Sequence, residues 1–226
     1  MKTRFSATLL AALVVGLLAC TSAGAAMVTL YRNAMDTSAN RAQMLKVSGR
    51  SCTRGSTGEA LKIEVGKRTA SCSYRTPVLG RDLEIGASER LSSETTTKLQ
   101  KQAFLGLELR GGGGAKYQFL VYPLQKKAQL VKVTKEGTEF LAIEKNVTAL
   151  QGLDKANNLR FSVLKTGSAE AALVGYVGAT QVLTATDEGA GEVSGRFSGI
   201  VVGSSKNARG LIASADDVAV RIPSPY

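Results

Sequence analysis

Three acidic residues that lie close together in the sequence carry carboxyl groups that could act in acid–base catalysis. Asp82 and Glu84 are spaced to share one face of a β-strand, and Glu89 follows five residues later. Two carboxylates about 5–10 Å apart can hydrolyse a glycoside, one as the acid and the other as the base or nucleophile. The alternative is the solvent face of an amphipathic strand with Arg81 and Arg90 as counter-charges, and we favour it. We therefore predict no catalytic residue.

Aromatic and cationic side chains occur next to each other in two segments. These side chains are the candidate ligand-binding residues of the chain: Tyr74, Arg75, Arg110, Lys116 and Tyr117. A tyrosine ring beside a guanidinium or ammonium group can hold a polar or anionic ligand. The alternative is that the tyrosines pack in a core while the cations lie on an ordinary charged surface, and we favour it.

An acidic turn that contains glycines offers the oxygen ligands that calcium prefers. Asp187, Glu188 and Glu192 lie in this turn, and calcium is typically bound by carboxylate and carbonyl oxygens of a loop. These three residues are calcium candidates. An acidic turn is more commonly just solvated, so we predict no bound metal and no cofactor.

Missing residue types exclude several classes of function. The chain has no histidine and no tryptophan among its 226 residues. Catalytic triads that use imidazole and zinc sites with histidine ligands are therefore excluded. The absence of tryptophan also removes the indole ring on which sugars and bases often stack.

The N-terminus resembles an export signal. A positively charged start precedes an uncharged, mostly apolar run over 5–19, which is shorter than the ~20 residues that span a membrane. Leu-Leu-Ala-Cys at 17–20 resembles the bacterial lipobox. We therefore predict a signal peptide over 1–19 and a lipidated Cys20 that anchors the protein to the membrane of a bacterial cell envelope. The alternative is cleavage after Ala25 and secretion without an anchor.

Lipidation of Cys20 would leave two cysteines for an oxidising compartment. Cys52 and Cys72 lie twenty positions apart, without the C-x-x-C spacing that is typical of redox and metal sites. We therefore predict a structural disulfide between them.

The chain is basic. Lys and Arg number 29 against 18 Asp and Glu, which gives a net charge of +11, or +9 without the two cations of the signal peptide. Residues 41–135 hold eighteen of the cations and seven of the acids. Such an excess suits an anionic envelope polymer or lipid head groups as a partner, or only a soluble surface, which we favour. We do not expect nucleic acid, because export is predicted and no nucleic-acid-binding motif is present.

β-Strands must position most of these side chains. Apolar and polar residues alternate with a period of two in five segments: 83–85, 105–109, 117–121, 159–163 and 218–222. Turn-forming residues separate the segments without long amphipathic helices, which is typical of antiparallel structure. We predict an all-β fold, an antiparallel two-sheet sandwich. The expected segments are a signal peptide (1–19), a tether (20–37), a short helix within 38–51, and a single sandwich domain (52–226).

Short motifs in the second half of the chain resemble the concanavalin A-like, laminin G-like jelly roll. They are YQFLVYP (117–123), KAQLVKVT (127–134), NNLR (157–160), TD (186–187), GRFSG (195–199) and ADDVAV (215–220). The resemblance covers residues 100–226 and implies a sandwich of the kind found in lectins, glycanases and adhesion modules. The E-x-D-x-x-E strand of the superfamily's glucanases is missing from this sequence.

The motifs, the charge and the export signal together predict a non-enzymatic envelope lipoprotein. Its lectin-like sandwich would bind a glycan, an anionic cell-wall polymer or another envelope protein. The alternative is a carbohydrate-active hydrolase of the same fold that uses carboxylates.

Overall fold

Alternating apolar residues form the strands of this protein. The structure is a computed structural model, and it describes residues 26–49, 51–67, 69–111, 114–166, 169–193 and 195–224. These residues contain fifteen strands. In chain order the strands are β1 (Met27–Asn33), β2 (Leu45–Ser48), β3 (Cys52–Ser56), β4 (Leu61–Val65), β5 (Ser71–Arg75), β6 (Leu83–Leu91), β7 (Ala103–Gly111), β8 (Lys116–Tyr122), β9 (Lys127–Val133), β10 (Thr138–Lys145), β11 (Asn157–Lys165), β12 (Ala171–Val177), β13 (Thr180–Asp187), β14 (Gly195–Ser204) and β15 (Leu211–Pro223). The α-helices are α1 (Ser38–Ala42) and α2 (Thr97–Gln100), and 3-10 turns cover Pro123–Gln125 and Ala190–Val193.

The strands form two antiparallel sheets. The eight-stranded sheet has the order β13-β12-β11-β6-β15-β4-β3, and β1 also pairs with β15. The seven-stranded sheet has the order β10-β9-β8-β7-β14-β5-β2. The predicted all-β fold, an antiparallel sandwich of two sheets, is confirmed.

The core lies between the two sheets and takes every second side chain of each strand. Phe119 from the seven-stranded sheet meets Phe161 from the eight-stranded sheet, with ring centroids 6.1 Å apart. Gly175 in β12 makes room for this contact, because a Cβ at that position would lie 2.5 Å from the Phe119 ring. The five alternating segments of the sequence therefore place their apolar residues where the pattern predicts.

The predicted tether over 20–37 is wrong in part, whereas a short helix does lie within 38–51. Met27–Asn33 forms β1, which hydrogen-bonds to β15 and extends the eight-stranded sheet. Helix α1 is one turn long, is capped by the Thr37 side chain and buries none of its residues, so no apolar face stabilises a longer helix. Leu45–Ser48 instead pairs with β5 as an edge strand. The sandwich therefore begins before Cys52, because β1 pairs with the C-terminal half of β15 beyond β4, and β2 pairs with β5 at the edge of the other sheet.

The predicted disulfide is confirmed. Cys52 at the start of β3 is bonded to Cys72 in β5, and their Cα atoms are 5.8 Å apart. Because β3 belongs to the eight-stranded sheet and β5 to the seven-stranded sheet, the bond joins the two layers of the sandwich.

The predicted signal peptide and the predicted lipidation site, Cys20, lie outside the described residues. Within the described ranges, neither helix has the length and apolar character that crossing a membrane requires.

Candidate functional site

The five predicted ligand-binding residues divide between the two faces of the seven-stranded sheet. Tyr74 and Tyr117 point into the core and are each 1% exposed, as the packing alternative predicts for these two tyrosines. Successive residues of a strand point to opposite faces, which places their neighbours Arg75 and Lys116 on the outer face. Arg110 lies directly opposite Lys116 in the register and shares that face.

A buried carboxylate, Glu108, organises the cations on this outer face. Arg110 Nε donates to Glu108 Oε1 at 2.6 Å, and Gln118 Nε2 donates to Oε2 at 2.9 Å. Lys116 Nζ lies 3.6 Å from the same Oε2. Glu108 is only 1% exposed because these partners cover it. Burial lowers the pKa of Lys116, and the Glu108 carboxylate opposes that shift by favouring the ammonium form.

Arg110 extends this group across the sheet. Its Nη2 lies 3.4 Å from Ser73 Oγ on β5 and 3.4 Å from Ser48 Oγ on β2, so the side chain crosses β14. The residue of β14 that pairs with Glu108 is Gly199, which has no side chain to obstruct the crossing. The polar cluster is defined here as Ser48, Ser73, Glu108, Arg110, Lys116 and Gln118.

An apolar cluster adjoins the polar cluster on the same outer face. It consists of Phe104, Leu120, Tyr122, Val131 and Val201. The rings of Phe104 and Tyr122 meet edge to face with centroids 5.8 Å apart, and Lys127 Nζ lies 3.9 Å from the centre of the Tyr122 ring.

Exposed apolar and stacked cationic side chains lie at the two margins of this face. On β10, Phe140 pairs with outward-facing Val131 and is 56% exposed. Toward the other edge, the Arg75 guanidinium lies 4.2 Å above the Phe197 ring. The face therefore offers hydrogen-bond donors, ring surfaces and positive charge side by side.

The three carboxylates that the sequence singled out do not share one site. Asp82 precedes β6 and accepts a hydrogen bond from the Lys165 backbone N–H at 2.6 Å. Glu84 points to the outer face of the eight-stranded sheet, whereas Glu89 points into the core. The expected solvent face is wrong for Glu89, whereas Glu84 does lie on the outer face but is covered by its arginine partners. Arg221, and not one of the neighbouring arginines of the sequence, is the closest counter-charge of Glu84 at 2.8 Å.

The calcium candidates lie at the end of β13. Asp187 accepts a short hydrogen bond from the Tyr117 hydroxyl and one from the Gly189 N–H at 2.9 Å, and Lys132 Nζ is 3.0 Å from its Oδ2. Burial favours a higher pKa for Asp187, but these partners outweigh it and hold the pKa below the usual value. Glu188 is exposed, and the Glu192 side chain lies outside the described part of the structure. Across the described residues, no three metal-binding side chains come together, and these three residues stay calcium candidates only.

Glu108 and Gln118 are the functional candidates that the sequence did not single out. Both occupy polar positions of alternating segments, and the register places them directly opposite each other. The pairing of β7 with β8 around the glycine-rich turn was the available signal, because it fixes which polar residues become neighbours.

Several known structures with a similar arrangement of sheets are carbohydrate-binding modules or carbohydrate-active enzymes. Carbohydrate-binding module CBM66 from Bacillus subtilis is similar with a TM-score of 0.57 at 16% identity, over 77% of this chain and 94% of that chain. The Bacillus licheniformis beta-glucanase is similar with a TM-score of 0.56 at 10% identity, over 86% of this chain and 97% of that chain. An endo-beta-1,4-glucuronan lyase from the fungus Trichoderma reesei gives a TM-score of 0.56 at 14% identity, over 85% of this chain and 95% of that chain.

These likenesses establish the fold. It is the concanavalin A-like jelly roll that the motifs of the second half of the chain predict. No protein-family model and no curated protein matches the chain. At such low identities the shared fold carries no residue-level assignment of function.

Proposed function

We propose that this protein is a non-enzymatic, lipid-anchored protein of a bacterial cell envelope that binds a glycan on the outer face of its seven-stranded sheet. The observation that carries the proposal is the polar cluster directly beside the apolar cluster. A sugar presents hydroxyl groups around its rim and C–H groups on its ring faces. It therefore needs fixed hydrogen-bonding side chains beside apolar surface, as small-molecule sites generally do.

The fold supports the proposal at the level of protein class. A carbohydrate-binding module and a glucanase have the same arrangement of two sheets. Because one fold hosts many functions, the choice of a glycan rests on the side chains of the outer face. Arg110, Lys116 and Gln118 carry donors that suit sugar hydroxyls, and Arg110 and Lys116 also suit an anionic polymer.

The carboxylates of this face favour binding over hydrolysis. Among the described residues of the seven-stranded sheet, Glu108 is the one carboxylate at an outward-facing position. Glycosidases typically use two, and Glu108 is engaged by three neighbouring side chains. Such a carboxylate is poorly placed to exchange a proton with a substrate.

The anchor rests on the sequence and on the disulfide. A bond between Cys52 and Cys72 is typical of exported proteins, because the cytosol keeps thiols reduced. The lipobox-like segment then supplies Cys20 for attachment to the membrane.

Glycan binding is tested by screening the detergent-purified, full-length protein on an array of bacterial cell-wall and capsule glycans. For a bound glycan, Lys116→Met is expected to raise the Kd about 5- to 10-fold, because one charge-assisted contact is lost while the aliphatic stem stays. Lys98→Met in α2 is the matched control on an exposed helix and is expected to leave Kd unchanged.

Three outcomes would contradict parts of the proposal. Failure of the wild-type protein to bind any glycan would reject glycan binding. Equal effects of Lys116→Met and Lys98→Met would reject the outer face as the site. Release of reducing ends from a bound glycan, abolished by Glu108→Gln, would instead support the hydrolase alternative.

A further inference from the structure

A cleft on the opposite side of the molecule gathers three arginines. It has a volume of about 310 Å³ and lies on the outer face of the eight-stranded sheet, between β1, β6, β11 and β15. Arg32, Arg160 and Arg221 line it together with Asp217. This group is called the arginine cleft below. It shares no residue with the polar cluster of the seven-stranded sheet.

Each guanidinium is held in place by a neighbouring side chain. Arg221 Nη1 lies 2.8 Å from Glu84 Oε1, and Arg160 Nε lies 3.6 Å from Glu84 Oε2. Arg32 Nε lies 3.0 Å from Asp217 Oδ1. Arg160 also stacks with its guanidinium carbon 4.0 Å above the centre of the Tyr176 ring. The contacts of Arg160 and Arg221 with the buried Glu84 orient these two arginines before any ligand arrives, which lowers the entropic cost of binding.

The donors of the cleft exceed its acceptors. A guanidinium has five N–H groups, and two of the three arginines share the single carboxylate of Glu84. The Nε of Arg160 is buried and finds no hydrogen-bond acceptor within the described residues. A buried donor that makes no hydrogen bond is costly, and the nearest carboxylate oxygen, Glu84 Oε2 at 3.6 Å, belongs to a group that Arg221 also uses.

The backbone leaves the floor of the cleft open. Gly86 of β6 pairs with Arg160 on one side and with Ala219 on the other, so no side chain fills the space between the arginine-bearing strands. Packing does not require a glycine there, because the nearest atom to an added Cβ would be the Leu159 carbonyl oxygen at 3.4 Å. β15 has a bulge in which Asp217 adopts the left-handed conformation with φ 47°. This bulge places Asp217, the ion-pair partner of Arg32, at the rim of the cleft.

We propose that the arginine cleft binds the carboxylate of a sugar-sized acid, such as a hexuronate. Its volume is at the lower end of small-molecule sites and suits one ring. Three guanidinium groups against the carboxylates of Glu84 and Asp217 leave one positive charge, which matches a single carboxylate better than a phosphate dianion. Ser88 and Asn158 in the lining offer hydrogen bonds to hydroxyl groups. The site is independent of the glycan-binding face proposed above.

The test compares binding of D-glucuronate with binding of D-glucose, which lacks the carboxylate, by NMR titration of the full-length protein. Glucuronate is expected to bind at least about 10-fold more tightly and to shift the Nε–H signal of Arg160, since the carboxylate supplies charge-assisted hydrogen bonds. A glucuronate oligomer that binds as well as the monomer would identify the terminal residue of a polymer as the ligand. An oligomer that does not bind would identify the free sugar acid.

Two variants and one control locate the site. Gly86→Val fills the floor while all three arginines remain, and it is expected to abolish glucuronate binding. Arg32→Gln removes one exposed charge and is expected to weaken binding about 10-fold. Arg209→Gln, at an exposed arginine that does not line the cleft, is expected to have no effect. A thermal melt of each variant checks that it is folded.

The proposal is overturned if glucuronate binds no better than glucose, or if folded Gly86→Val binds glucuronate as the wild type does. Equal losses in Arg32→Gln and Arg209→Gln would show attraction by overall charge in place of a site. Inorganic phosphate that displaces glucuronate at equal concentration would overturn the preference for a carboxylate.

Discussion

Glu89 places a carboxylic acid in the core between the two sheets. Its side chain is 0% exposed, and Oε2 accepts one hydrogen bond from the Gly106 N–H at 3.2 Å. Its other oxygen has no partner within the described residues. Burial raises the pKa of Glu89 well above the usual value, and the Gly106 hydrogen bond opposes the shift only in part. The folded state therefore favours the neutral acid.

Ionisation of Glu89 is expected to lower stability as pH rises. Because the folded state has the higher pKa, the folded protein retains this proton above the unfolded pKa of about 4.3, and stability is lost as pH rises through the folded pKa. Glu89→Gln removes the titration and keeps an oxygen for Gly106. The free energy of unfolding of the wild type, minus that of Glu89→Gln, should fall between pH 5 and pH 9 in urea denaturation. A difference that does not change with pH would contradict this expectation.

Gly175 permits the contact between the two central phenylalanines, and its replacement is expected to destabilise the fold. An alanine Cβ would lie 2.5 Å from the Phe119 ring, and overpacking of this kind costs about 1–3 kcal/mol. Gly86→Ala is the control in a neighbouring region of the same sheet, because its Cβ would make only ordinary contacts. Urea denaturation should show a lower free energy of unfolding for Gly175→Ala alone. Equal stability of the two variants would contradict the steric explanation.

The sequence was sufficient to predict the environment of some side chains but not of others. The alternation around 117–121 correctly placed Phe119 in a strand and on a buried face. It could not assign Tyr117 to the core or to a ligand, because a tyrosine suits both environments. Glu108 went unrecognised because Gln118 and Lys116 become its neighbours only once the register of β7 and β8 is fixed.

At the scale of the elements, the central strands were predictable and the edge strands were not. Segments such as 105–109 alternate strongly because one face is buried against the opposite sheet. β1 and β2 leave most of their side chains exposed, so their residues carry little periodic signal. They are held by backbone hydrogen bonds to β15 and β5, and such pairing leaves few marks on residue type.

Besides the hydrogen bond between Glu89 and Gly106, a covalent bond and an ion pair join the two sheets. One is the disulfide between β3 and β5. The other is polar, because Asp187 of the eight-stranded sheet contacts Tyr117 and Lys132 of the seven-stranded sheet. Removing one partner of a buried ion pair typically destabilises a protein, since the remaining charge is left without compensation.

Loss of the disulfide is expected to lower the free energy of unfolding by about 3 kcal/mol, because a bond that closes a loop of this length restricts the unfolded chain. The double variant Cys52→Ala/Cys72→Ala and the chemically reduced wild type should have the same lowered melting temperature. Non-reducing peptide mapping of the wild type should recover one linked peptide pair. Free thiols at both cysteines in protein isolated from the envelope would contradict the bond.

At the scale of the whole molecule, the positive charge of residues 41–135 does not form one patch. Arg110 and Lys116 lie on the outer face of the seven-stranded sheet, whereas Arg54 and Lys62 belong to strands of the eight-stranded sheet. The number of these charges follows from the sequence, but their positions on the two sheets do not, because the chain passes repeatedly between the two layers. Both sides of the sandwich therefore carry cations from the same segment.

Lipidation is expected to fix the mature N-terminus at Cys20. Mass spectrometry of protein extracted from membranes should show the mass of a diacylglyceryl group on this residue. Cys20→Ala should release the protein into the soluble fraction, while Ser22→Ala serves as the control substitution in the same segment. An unmodified N-terminus at Ala26 would contradict the lipoprotein prediction and support simple secretion.

The early start of β1 limits how far an anchored molecule could travel from its membrane. Seven peptide units separate Cys20 from Met27, the first residue of the sandwich, and such a leash reaches about 25 Å at full extension. A leash over the whole predicted tether would reach more than twice as far. The sandwich of an anchored molecule would therefore stay close to the lipid surface. It could bind only those polymers that extend to within that distance of the membrane.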